Sequence, residues 1–139
     1  MTKYNKEYWE IGPVLKPTPF ELLREFHETY GAAVDLPFED KLLGLREKLL
    51  QEELNEVIEE SIALPIDKKK LTKELADLMY VTIGFATTFG LPLEEVFYAV
   101  HESNMSKLGP NGEVLRREDG KILKGSNYKE PDLDQFFKD

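Results

Sequence analysis

A chain of 139 residues, 41% of them hydrophobic, is long enough for one domain with its own core and too short for two. Its net charge of −9 argues against a nucleic-acid groove or an anionic membrane surface as the main partner, and the absence of cysteine excludes disulfides, thiolate nucleophiles and cysteine-based zinc sites. The first ten residues lack the apolar stretch of a secretory signal, and no apolar run reaches membrane length, so we expect a cytoplasmic protein.

The first element along the chain is a short helix with a clear start signal. Residues 1–16 show no hydrophobic period, and we interpret them as an arm that packs on another surface, such as a second subunit. Thr18 suits the N-cap, Pro19 the first helical position and Glu21 the capping box. Helix 1 should then run to Gly31, a typical helix stop.

Two long helices follow and form the centre of the predicted fold. Apolar periodicity predicts helix 2 from about Glu39 to Ile62 and helix 3 from about Lys68 to Phe89. Asp67 should cap helix 3, and Gly90 should end it. Because only a few residues link the two helices, we expect them to pack as an antiparallel pair.

The rest of the chain completes a four-helix prediction. Helix 4 should run from about Pro92 to Lys107, and turn signals around Gly120 predict a short β-hairpin in the segment that follows. We therefore predict an all-α four-helix bundle with an extended basic tail. A single domain should cover residues 1–139, with its core at about 18–108 and the tail at 109–139.

Acidic pairs interrupt the apolar faces of both central helices. On a helical projection Glu53 and Glu56 share the leucine stripe of helix 2, and Glu74 and Asp77 lie among the apolar residues of helix 3. In the antiparallel pair these four side chains should meet. Four converging carboxylates repel one another unless a cation neutralises them, and their hard oxygen ligands suit Mg²⁺ or Mn²⁺. Glu52, at the edge of the same face, can orient or deprotonate an attacking water.

Other interpretations of the same residues remain open at this point. Glu-x-x-Glu is common on the solvated faces of acidic helices, so a non-catalytic helical interaction module stays possible. A di-iron carboxylate bundle would need Glu-x-x-His on two helices, which the sequence lacks. His27 and His101 stand alone, and we expect core or solvated positions for them rather than metal ligation. A P-loop enzyme is excluded because no Gly-x-x-x-x-Gly-Lys motif is present.

A family resemblance rests on the acidic motif and its surroundings. Glu53-x-x-Glu56, seventeen residues and then Glu74-x-x-Asp77 resemble the signature of the all-α nucleoside triphosphate pyrophosphohydrolase superfamily. That superfamily includes MazG-like proteins, phosphoribosyl-ATP pyrophosphohydrolases and dimeric dUTPases. The resemblance extends over about residues 20–133. The similar segments are residues 49–56, 75–81 and 101–107, and residues 117–128 resemble the tail of MazG-like members.

The resemblance implies a MazG-like fold and a Mg²⁺-dependent hydrolase, with Mn²⁺ as an alternative metal. The expected reaction cleaves a (deoxy)nucleoside triphosphate between the α- and β-phosphates, giving the monophosphate and pyrophosphate, for nucleotide-pool house-cleaning. A dUTP- or dUDP-specific hydrolase of the same fold is the alternative. The resemblance also implies a homodimer or a dimer of dimers.

Individual roles are carried over by the same resemblance. The four carboxylates of the motif would hold metal, and Glu52 would be the water-activating base or an acid outside the metal shell. No motif fixes the residues that recognise the base; helix 1 and the region around Tyr80 are the expected place, with Phe26 and His27 as candidates. The implied substrate-binding residues are Asn104, Lys107, Lys121, Lys124 and Tyr80.

Overall fold

The computed structural model describes residue 12 and residues 16–137. The predicted arm lies almost entirely outside this described part. Within it the chain forms four α-helices, a short 3₁₀ turn at Asp134–Phe136 and no strand, so the all-α class is confirmed. No helix in the same residues is long and apolar enough to cross a bilayer.

The first of two compact units, Met1–Leu91, contains three helices. They are α1 at Pro19–Tyr30, α2 at Asp40–Ile62 and α3 at Lys68–Phe89. Helix α3 packs against both α1 and α2. Its second half supplies most of the buried residues, because the small or apolar side chains there let the other two helices approach. The buried apolar residues are Leu23, Ile83, Ala86 and Phe89.

The ends of α1 and α3 follow the predicted capping signals. The Thr18 hydroxyl accepts a hydrogen bond from the backbone N–H of Glu21, whose side chain accepts one from the backbone N–H of Thr18. The Asp67 carboxylate accepts bonds from the first turn of α3. Gly31 and Gly90 adopt left-handed φ values of 70° and 64° and end their helices.

The loop between α1 and α2 is fixed to α1 and α3. Arg24 binds the Asp35 carboxylate through two hydrogen bonds of 3.1 Å. The backbone N–H groups of Asp35 and Leu36 donate to the carbonyls of Thr87 and Thr88 near the end of α3. These bonds hold the start of α2 beside the end of α3, which sets the register of the hairpin formed by α2 and α3.

The second unit, Pro92–Asp139, contains α4 at Leu93–Met105. The predicted β-hairpin is wrong. Among the described residues, strand pairing is limited to an isolated antiparallel bridge between Arg116 and Ile122. The apolar side chains beside this bridge stay exposed, and a lone two-stranded ribbon is marginal without a covered apolar face. The assignment of the whole chain to a single domain stays a prediction.

Candidate metal centre and its surroundings

Helices α2 and α3 bring four carboxylates together. One oxygen atom each of Glu53, Glu56, Glu74 and Asp77 lies within 4.8 Å of the others. Each pair sits three residues apart on one helix, and the antiparallel packing of α2 and α3 places the two pairs opposite each other. The acidic cluster thus forms where the helix spacing predicts it, and the role of its members as metal ligands stays a prediction.

The acidic cluster is only partly open to solvent. The side chain of Glu74 is 14% exposed and that of Asp77 is 35% exposed, whereas Glu56 lies at the surface. In the part of the chain that the structure describes, Oε2 of Glu53 and Oε2 of Glu74 are buried without a hydrogen-bond donor. A buried carboxylate oxygen without a donor is costly. A cation is therefore the natural partner of these two atoms.

The protonation of Glu74 reflects the crowding of negative charge. Its pKa lies above the ordinary value, first because the side chain shares a hydrogen bond with Glu56 and second because burial disfavours the charged form. Repulsion by Glu56 and Asp77 acts in the same direction, and attraction by Lys73 opposes it. Without a bound cation, the crowding in the acidic cluster therefore favours the protonated form of the Glu74 carboxyl.

Lys73 supplies a second compensating charge. Its Nζ atom lies 2.6 Å from Oδ2 of Asp77 and 3.6 Å from Oε1 of Glu74. The hydrogen bond with Asp77 raises the pKa of Lys73, and the negative charges of Asp77 and Glu74 raise it further. The ammonium group itself is largely exposed, so it can leave the acidic cluster at little cost.

The residues present fit a hard divalent cation. The acidic cluster offers four carboxylates, the ligand type that Mg²⁺ and Mn²⁺ prefer, and two of its oxygens have no other partner in the described structure. No histidine belongs to this group of ligand atoms. The donor set therefore favours magnesium-type metals over zinc or iron.

Two further predicted residues lie on the same helices. Glu52 precedes Glu53 on α2, its side chain is exposed, and it is outside the group of four converging oxygens. Tyr80 lies one turn beyond Asp77 on α3 and makes an edge-to-face contact with Phe26 of α1, with ring centroids 5.5 Å apart. Both rings remain partly exposed.

Beyond this aromatic pair lies a polar group that includes one residue the sequence did not single out. Arg46 on α2 is only 8% exposed, and burial lowers its pKa. Buried His27 lies nearby, and both side chains approach Gly84 of α3. A signal for Arg46 existed: it lies seven residues before Glu53, so it shares the helical stripe of the acidic cluster. His27 is buried and His101 is exposed, which are the core and solvated positions between which the sequence left the choice open.

The predicted substrate residues of the second unit surround the end of α4 and the tail. Asn104 and Lys107 lie at that end, where the Asn104 carbonyl accepts the Lys107 backbone N–H. The Lys107 carbonyl in turn accepts the N–H of Gly125. Lys124 places its Nζ atom 4.6 Å from the centre of the Tyr128 ring, and Lys121 is exposed. Their contact with substrate stays a prediction.

Comparison with known families gives one match. Residues 21–104 match the family model described as phosphoribosyl-ATP pyrophosphohydrolase. The matched segment contains most of α1, all of α2 and α3 and most of α4, and with them all four carboxylates of the acidic cluster. A search of curated proteins found no match.

Proposed function

The chain belongs to the phosphoribosyl-ATP pyrophosphohydrolase family, within the MazG-like nucleoside triphosphate pyrophosphohydrolase superfamily, and from that membership we propose a Mg²⁺-dependent nucleotide pyrophosphohydrolase. The substrate is a nucleoside or deoxynucleoside triphosphate. Hydrolysis between the α- and β-phosphates consumes one water and releases the monophosphate and pyrophosphate. Such a reaction would serve house-cleaning of the nucleotide pool.

One observation carries this proposal. Carboxylates from two helices converge within 4.8 Å, and two of their oxygens are buried without a donor in the described structure. A purely structural bundle would gain nothing from this arrangement, because like charges in a half-buried site reduce the free energy of unfolding. A metal-binding site explains both the convergence and the unpartnered oxygens.

The proposed chemistry divides between the four ligands and their neighbours. Glu53, Glu56, Glu74 and Asp77 hold the metal, which when bound neutralises phosphate charge and lowers the pKa of a water. Glu52 accepts the proton of the attacking water; its exposed position beside Glu53 leaves it free to approach that water.

The other predicted substrate residues are also part of the proposal. Asn104, Lys107, Lys121 and Lys124 would contact the nucleotide, with the lysines binding phosphate oxygens. Cationic side chains suit this task in a chain whose net charge is −9, because the triphosphate would otherwise be repelled.

We also propose that the protein is a homodimer or a dimer of dimers. Helix α2 exposes large apolar side chains at a four-residue spacing, namely those of Leu54, Ile58 and Ile62, and α3 exposes Leu75 and Met79. Stripes of this kind normally pack on another helix, and a second copy of the chain can supply one. Light scattering behind size-exclusion chromatography should give at least twice the monomer mass, and a monomer at micromolar concentration would contradict this part of the proposal.

The central experiment measures pyrophosphate release from a panel of NTPs and dNTPs, including dUTP, with and without Mg²⁺. We expect release only with the metal, and a loss of at least about 100-fold in kcat/KM for Glu53→Gln. Glu59→Gln is the matched control, because Glu59 is an exposed acid on the same helix outside the acidic cluster. Equal rates for Glu53→Gln and wild type, or cleavage of no nucleotide, would sink the proposal. A strong preference for dUTP would support the dUTP-specific alternative.

A further inference from the structure

The most unusual charge in the first unit is that of Arg46. The residue is more than nine-tenths buried, and its Nε atom is buried without an acceptor. No ion pair within residues 16–137 includes this guanidinium. Buried arginines are normally paired, because an uncompensated buried charge is strongly destabilising. An acceptor from outside the described chain would remove that cost.

His27 and Arg46 approach the same point on α3. A Cβ atom placed on Gly84 would lie 3.2 Å from Nε2 of His27 and 3.4 Å from Nη1 of Arg46. The Nδ1 atom of His27 lies 2.8 Å from the Ala33 carbonyl oxygen, and since a carbonyl only accepts, Nδ1 carries the hydrogen. In the neutral ring Nε2 is then an acceptor. The two side chains thus present a forked donor and an acceptor side by side.

These groups lie in line with the acidic cluster. Arg46 precedes Glu53 by seven residues on α2, and Gly84 follows Asp77 by seven residues on α3. Seven residues are about two helical turns, or roughly 10 Å along the axis. This separation is close to that between the α-phosphate and the far edge of the base in a nucleotide.

The aromatic pair lies between the two groups. Tyr80 is three residues beyond Asp77 and four before Gly84, and its ring contacts Phe26. Partly exposed aromatic rings are suitable stacking surfaces for a base or a sugar. In the direction of α3, the three helices therefore present carboxylates, then aromatic rings, then a donor and an acceptor, in the order that a metal-bound nucleotide requires.

The geometry points to Arg46 and His27 as the residues that recognise the base, and to a base with a carbonyl group beside a ring N–H as the preferred ligand. The N–H groups of the Arg46 guanidinium donate hydrogen bonds to the carbonyl oxygen of the base, and Nε2 of His27 accepts one from its ring N–H. Uracil, thymine, guanine and hypoxanthine carry this edge. The inference rests on the proposed function, since the metal site fixes where the phosphate lies.

Bases with an amino group in place of the carbonyl bind less well for a definite reason. A carbonyl oxygen has two lone pairs and can accept both hydrogens of the guanidinium fork, whereas a ring nitrogen offers one lone pair and an amino group only donates. An adenine edge leaves a buried donor of Arg46 unpaired. A cytosine edge can offer its O2 carbonyl to the guanidinium, but its ring nitrogen then carries no hydrogen and faces the Nε2 acceptor of His27. A site built to hydrogen-bond one group rejects analogues that leave its buried donors unpaired.

Binding of nucleoside monophosphates tests this inference without catalysis. IMP and AMP differ only in the base edge in question, and so do UMP and CMP. Calorimetry in the presence of Mg²⁺ should show a preference of about tenfold or more for IMP over AMP and for UMP over CMP. Arg46→Met should remove that preference, mainly by weakening the binding of IMP and UMP.

Controls separate recognition from folding and charge. Arg46→Lys keeps the charge and most of the volume, and it should fold and yet lose most of the preference because lysine lacks the planar fork. Lys48→Met removes an exposed positive charge from the other side of α2 and should bind all four nucleotides like wild type. Melting curves of each variant show that it is folded at the assay temperature.

The outcomes distinguish this inference from the proposed function. Unchanged preferences in Arg46→Met and Arg46→Lys, or no binding of any monophosphate, would overturn the inference. Pyrophosphate release from triphosphates without an Arg46-dependent base preference would leave the proposed function standing alone. Arg46-dependent binding of IMP and UMP without hydrolysis of any triphosphate would support the inference and reject the proposed reaction.

Discussion

The Nζ atom of Lys73 lies 2.6 Å from Oδ2 of Asp77, one turn further along α3. Because the same ammonium is 3.6 Å from Glu74, a cation of the protein itself is already bound at the edge of the acidic cluster. A metal ion must compete with it for these carboxylates.

Replacing Lys73 with methionine should therefore tighten metal binding. We expect the affinity for Mn²⁺ to rise by about two- to fivefold, a modest gain because the lysine is mostly exposed and screened by solvent. Isothermal titration of the metal-free protein measures the change. Lys68→Met, which removes an exposed lysine from the start of the same helix, should have a smaller effect. Weaker binding by Lys73→Met would show that the ammonium helps to shape the site instead.

The raised pKa of Glu74 gives the metal-free protein a particular pH dependence. A carboxyl whose pKa is higher in the folded than in the unfolded protein stabilises the fold while it is protonated. This contribution is complete below the ordinary value of 4.5 and is lost as the pH rises through the raised value. In EDTA, the melting temperature of wild type should therefore fall as the pH rises across this range, relative to the melting temperature of Glu74→Gln.

Metal should reverse that trend. Binding requires deprotonated carboxylates, so the increase in melting temperature caused by Mn²⁺ should grow as the pH rises through the same range. Melting curves with EDTA and with Mn²⁺ at several pH values measure both effects. A Glu74→Gln protein with the same pH profile as wild type in EDTA would contradict the raised pKa of Glu74.

Gly84→Ala tests the approach of Arg46 and His27 to α3. The new methyl group would lie within 3.4 Å of both side chains, so both must move by a few tenths of an ångström. Alanine gains about 1 kcal/mol of helix propensity over glycine, which should offset much of this strain in a denaturant titration. We expect a stable protein with a several-fold weaker preference for IMP over AMP. A preference equal to that of wild type would mean that the positions of the two side chains are not critical.

Gly31 and Gly90 form a matched pair for testing what ends the helices. Both adopt left-handed φ values, but a Cβ on Gly31 meets nothing within 4 Å, whereas one on Gly90 would lie 2.8 Å from Oδ1 of Asp35. Gly31→Ala should lower the free energy of unfolding by about 1 kcal/mol. Gly90→Ala should lower it by about 1 kcal/mol more, because Asp35 also pairs with Arg24. Urea titration measures both values, and equal losses would show that Asp35 moves aside freely.

The features predicted correctly from the sequence are those set by neighbouring residues. Thr18 and Glu21 cap α1 within one turn, and Asp67 and Gly90 bound α3, so local chemistry was enough to place these ends. The meeting of the four carboxylates also followed from local rules, because a short link imposes antiparallel packing and the three-residue spacing then selects the face.

Features that depend on distant residues escaped prediction or were wrong. The helical stripe places Arg46 on the face of the acidic cluster, but the depth of its burial depends on the packing of α1 and α2 on α3. The predicted hairpin around Gly120 had correct turn chemistry, but strands need a covered apolar face, which sequence pattern alone does not provide. The tail instead attaches through Lys129, whose carbonyl accepts a bond from the Ser103 hydroxyl.

The equal intervals on α2 and α3 limit which length changes the helices can tolerate. Inserting or deleting one residue between Arg46 and Glu53, or between Asp77 and Gly84, would rotate one end of the interval by about 100° relative to the other. A substitution within those intervals keeps this alignment, whereas adding or removing a single position destroys it.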